Sequence, residues 1–149
     1  MAQNKKKETR RTYGYFSATV RSGGIVIVEV GPKRAIYPLH KAMLAQHSEY
    51  FARALNGPWA EAEDRKVVLE DVELGISSLI MKSVNVFVNY IYGQDIPHSI
   101  RQWPEATEQD RTTFTETKCW RMADLAHVQT IYLADRIVAP DFKKALQNL

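Results

Sequence analysis

Along this chain the spacing of apolar residues changes period several times, and each change marks an element. Residues 25–30, IVIVEV, are a β-branched run behind Gly23-Gly24 and predict a strand. Gly31-Pro32-Lys33-Arg34 predicts a turn and AIY, residues 35–37, a returning strand, which together make a hairpin. The unbroken apolar run at 25–28 predicts a strand covered on both faces, with helices packed on the sheet. From Leu39 the period lengthens to about 3.6, and Leu39, Met43 and Leu44 share a helical face. Ser48 then suits an N-cap, Glu49 a first turn where the helix dipole favours negative charge, and Phe51 and Leu55 stand one turn apart. Asn56-Gly57-Pro58 stops that helix, so two short helices form a hairpin laid on the sheet.

Further along, KVVLED, residues 66–71, predicts a third strand. Val84, Phe87, Val88 and Ile91 mark an amphipathic helix stopped by Gly93. Residues 93–120 are polar, contain Pro97 and Pro104, and predict a long excursion. Met122, Leu125, Val128 and Tyr132 mark the apolar face of another helix running to about Ile137. Pro140 opens a last one, in which Phe142 and Leu146 pair. A few strands followed by helical hairpins is an α+β arrangement: a small β-sheet flanked by helical hairpins.

Composition narrows the class. The 149 residues suit one domain with a sizeable core, and a 45% hydrophobic, 25% charged balance is that of a globular protein. Cys119 is the single cysteine, which excludes an intrachain disulfide and fits a reducing cytoplasmic or nuclear setting. No apolar run reaches membrane-spanning length, and MAQNKKKETRR lacks the apolar segment of a signal peptide. The net charge of +3 is concentrated in Lys5, Lys6, Lys7, Arg10 and Arg11. Such a block predicts a solvated, disordered tail over residues 1–16, with the domain in 17–149; its functional readings are a nuclear-import signal or a phosphate-contacting arm. Without the tail the chain is close to neutral, which argues against nucleic acid as the partner of the domain.

Catalytic and metal chemistry need convergent groups, and the sequence offers none. Cys119 stands alone, and His40, His47, His98 and His127 form no HxH, HExxH or CxxC spacing. A GxSxG elbow, a Walker A loop and a GxGxxG turn are all absent, and Gly23-Gly24 precedes a strand rather than opening a helix. Glu70, Asp71 and Glu73 suit a solvated turn at a strand exit. His40, beside Leu39 at a strand-to-helix junction, predicts a structural histidine bonded to nearby backbone; His47 predicts an exposed residue in the link between helices. Neither a catalytic residue nor a cofactor or metal is expected.

One stretch carries a resemblance. A hairpin ending in VG, then YPLHKAMLAQHSEYFARALNG, then WAEAEDRKVVLED, resembles the BTB/POZ domain in the form common in filamentous fungi. The matching pieces are His40-Lys41 with Leu44 after it, the Ser48…Phe51…Leu55 helix, Asn56-Gly57, FVNYIYG at 87–93 and YLADRIVAPDFK at 132–143. Their order covers roughly residues 24–148. The resemblance implies a non-catalytic protein–protein interaction domain that self-associates, couples a client to a cullin-type ubiquitin ligase, or does both. In the family's adaptors an apolar residue, any residue, then glutamate follows the second helix and touches the cullin. Here that pattern is Trp59-Ala60-Glu61, so Trp59, Glu61 and Tyr50 are the candidate partner-binding residues. A scaffold without a ligase role, and nucleic-acid binding through the tail, are the other readings.

The resemblance departs in three places. Ile25 stands where many members carry an aspartate, which in some repressors lines a charged pocket with a basic residue at the position of Lys41. Residues 73–80, ELGISSLI, are extra and predict a protruding loop or an added helical turn that the core does not require. TYGYFSATVRSG is too glycine-rich and β-branched for the apolar helix that precedes the first strand in the family's dimers.

Overall fold

The computed structural model describes residues 21, 23–70, 77–93, 95–99, 102–103 and 116–149. The basic tail and the segment 73–76 lie outside them.

Two strands open the described chain, β1 (Ile25–Val30) and β2 (Ala35–His40), paired antiparallel from Ile25↔His40 to Val30↔Ala35. Gly31, at φ 71°, and Arg34, at φ 51°, supply the left-handed backbone of the turn between them. The strand β2 runs further than AIY suggests. Pro38 cannot sit inside a helix, so Leu39 pairs with Val26 and joins the sheet. Helices α1 (Lys41–His47), α2 (Glu49–Asn56) and α3 (Ala60–Asp64) follow, then β3 (Lys66–Leu69), which returns parallel to β1. The sheet order is β2-β1-β3. Three long pieces complete the fold: α4 (Ser77–Gly93), α5 (Glu116–Arg136) and α6 (Pro140–Gln147).

The sheet buries one face. Val26, Val28 and Val30 are fully buried, whereas Ile25 is exposed and Ile27 and Glu29 are half-buried. The expectation of a strand covered on both faces is thus corrected: the alternation is that of a one-sided sheet. On its outer side Glu29 holds Lys66 at 2.6 Å and Arg34 at 3.2 Å, and these neighbours, Lys66 foremost, keep its carboxyl below the usual range. The backbone groups of Ile36, Pro38 and His40 face away from β1, along the outer edge of β2.

The core joins three helices through aromatic rings. Phe51 stacks on Phe87 at 6.4 Å, and Phe142 lies 5.3 Å from Phe87 and 4.9 Å from Tyr90. These contacts tie α2, α4 and α6 together. Small residues let α5 approach: Ala123, Ala126, Thr130 and Ala134 are buried, with the Thr130 hydroxyl donating to the Ala126 carbonyl at 2.6 Å.

Two boundaries and one face differ from the sequence reading. The helix α4 starts at Ser77, so the second half of ELGISSLI is its first turn. The helix α5 starts at Glu116, inside the stretch expected to be an excursion. Leu125, Val128 and Tyr132, expected on its apolar inner face, are solvent-exposed; the alanine row one helical face away makes the core contact instead.

Candidate functional site

Ser48 organises the neighbourhood of the candidate residues. Its hydroxyl accepts the Phe51 N–H at 3.2 Å and donates to the Ile137 carbonyl. Val138 accepts the Glu49 N–H at 3.0 Å and Ile137 the Tyr50 N–H at 3.3 Å. The first turn of α2 is therefore capped by the elbow between α5 and α6, which leaves none of its donors to solvent. At that elbow Val138 adopts a left-handed φ of 50°, uncommon for a β-branched residue, and is exposed.

The other end of α2 sets the corner. Gly57 caps the helix with its N–H on the Arg53 carbonyl. Trp59 then caps α3, its carbonyl accepting N–H groups of Ala62 at 3.1 Å and Glu63 at 3.4 Å. The indole returns over Gly57: a Cβ there would lie 2.6 Å from both Cδ1 and Nε1. Trp59 is still 60% exposed. The pyrrole edge of the indole is thus held close to Gly57 while most of the side chain stays open. Beside it runs a groove of about 270 Å³ lined by Glu49, Tyr50, Arg53, Ala54, Trp59, Glu61 and Val138. Tyr50 is half-buried, packed edge-on against Phe51 at 5.4 Å, and Arg53 bridges back to Glu49 at 3.4 Å. The groove thus brings Tyr50, Trp59 and Glu61 together on one surface. It offers two aromatic rings and carboxylates, a setting for an apolar side chain with a basic or amide neighbour.

The histidines are held apart. His40 bonds the Tyr92 hydroxyl through Nδ1 at 2.8 Å, so its partner is a side chain rather than the expected backbone. His47 is the last residue of α1, half-buried and edge-on to Tyr90 at 5.6 Å, which corrects the exposed position expected of it. Burial pushes its pKa below the usual imidazole range. His98 meets Asp95 at 2.9 Å and His127 donates to the Leu146 carbonyl at 2.8 Å. Among the described residues no three His, Cys, Asp or Glu side chains group as metal ligands. Ile25 is 43% exposed, and the Lys41 stem lies along Gly23. Sequence reasoning missed Gly57 as the seat of the indole and Val138 as part of the groove. The first reads equally well as a helix stop, and nothing in the sequence marks a valine for positive φ.

Comparison with known proteins agrees with this architecture. Kelch-like protein 40a of Danio rerio is 27% identical over 103 residues, covering 68% of this chain but 14% of that protein. The chain therefore spans about a seventh of that relative's length. The family model described as the BTB/POZ domain matches residues 26–136, and the chain belongs to that family of protein-interaction modules.

Proposed function

We propose that this BTB/POZ domain, of the form resembling those of filamentous fungi, acts without catalysis as an adaptor that presents a bound client to a cullin-type ubiquitin ligase and also self-associates. Tyr50, Trp59 and Glu61 form the docking site for the cullin. The observation that carries this reading is the positioned indole: Trp59 lies against Gly57 and, 60% exposed, lines the groove. An aromatic ring held in place before binding loses little freedom on docking and excludes water around its neighbours, as interface anchors do. Glu61, in the first turn of α3, supplies the acidic member of the pattern found in the family's adaptors. The setting proposed is cytoplasmic or nuclear; no helix of the described residues is long and apolar enough to cross a membrane.

The test is calorimetric titration of the chain with a matched cullin N-terminal domain. Binding that Trp59→Ala weakens by about 2 kcal/mol or more, with the fold intact, is the expected result. No binding by the unmutated chain removes the adaptor role and leaves that of a scaffold in a transcriptional or signalling complex.

A further inference from the structure

The exposed face of α5 is the strongest apolar signal that neither the core nor the groove uses. Leu125 is 37% exposed, Val128 49% and Tyr132 63%. With Ile131, half-buried, they line one side of the helix. At about 100° per residue all of them fall within about 60° of Val128. A helix with one apolar face against its core and a second towards solvent has a partner to find.

The charges around this face indicate which partner. Arg121 and Asp135 lie equally far before and after Val128, near the centre line of the face, and both are exposed. We propose that the outer face of α5 pairs with the same face of a second copy of this chain, antiparallel, with the two-fold axis through Val128. In that register Arg121 of each copy meets Asp135 of the other across the seam, and Leu125 packs beside the other copy's Tyr132. Parallel pairing would set Arg121 on Arg121 and Asp135 on Asp135. Asp135 already takes Lys143 through Oδ1 at 2.6 Å, which leaves Oδ2 for the arginine. Arg121 bridges no carboxylate among the described residues. The seam is about 21 Å long. One helix face of that length buries less than the roughly 1,600 Å² of a standard stable interface, so the association is reversible and concentration-dependent. It rests on the self-association proposed above and assigns it a surface.

Sedimentation equilibrium of the full chain over a concentration series tests the assignment. The expected result is a monomer–dimer equilibrium whose dissociation constant rises at least tenfold in Val128→Arg, which doubles a charge on the axis. Arg121→Asp and Asp135→Arg each weaken self-association, yet an equimolar mixture of the two forms a heterodimer, because each then meets its opposite charge. A purely structural role for these side chains would not give that rescue. A chain that associates but ignores all three substitutions keeps self-association and overturns this surface. A chain that stays monomeric throughout overturns both. Loss of association in both charge variants without recovery in the mixture overturns the antiparallel register.

Discussion

The Tyr92 hydroxyl accepts the backbone N–H of His40 at 3.0 Å and lies 2.8 Å from its Nδ1, so one phenol closes the junction between β2 and α1. Tyr92→Phe leaves both groups without their partner and is expected to cost about 1–3 kcal/mol. His40→Ala keeps the hydroxyl on the backbone N–H and is expected to cost less. Thermal melts of the two variants check the order; the reverse order would place the stabilisation in the imidazole.

Ser48 joins elements far apart in sequence, since its hydroxyl caps α2 and reaches the Ile137 carbonyl. Ser48→Ala removes both bonds in a buried site and is expected to cost about 1–3 kcal/mol. Phe51→Ala, which removes a fully buried ring stacked on Phe87, is expected to cost about 3–5 kcal/mol. Denaturant titrations compare them. An unchanged midpoint for Phe51→Ala would contradict its burial.

Gly57→Ala tests the seat of the indole. The added methyl would stand 2.6 Å from the Trp59 ring and 2.8 Å from the Arg53 carbonyl, so the ring must move and the end of α2 must give. The Trp59 indole N–H resonance is expected to shift, and cullin affinity to fall with Trp59 still present. A resonance that does not move would show that the ring is not seated there.

Acid is expected to loosen the contact of α1 with α4. His47 titrates below the usual imidazole range because burial disfavours its charged form, outweighing the opposing pull of Asp141. The unfolded chain therefore binds the extra proton first, and stability present above the usual value is lost as pH falls below it. Glu29, held low by Lys66 and Arg34, acts in the same sense at lower pH, across the carboxylate range. Melting temperatures at about pH 8 and about pH 5.5 bracket the imidazole step. His47→Gln is expected to flatten that difference, and an undiminished one would assign it elsewhere.

Local rules made much of this fold legible: a β-branched run, a Gly-Pro turn, a serine cap and paired aromatics each encode their element within a few residues. What they could not convey was context. Leu125, Val128 and Tyr132 have the period of a core face, but period does not tell which of two apolar faces meets the protein's own core. The alanine row won because small side chains let α4 come close, with Thr130 3.3 Å from Ser83. The helix α3 went unpredicted because AEAED is too short and too polar to show a period. Trp59 and Glu61 were legible as a pattern, whereas the groove beside them needs Val138, brought there by the α5–α6 elbow.

The outer edge of β2 bears on a hazard that accompanies any open sheet. Of its outward-facing residues, Pro38 has no N–H and that of His40 is held by Tyr92, so Ile36 alone has a donor to offer. An incoming strand needs a repeating ladder of donors and acceptors, and here it would find a single rung. Runaway growth by strand addition, the route from sheet edge to fibril, is thereby obstructed on this side.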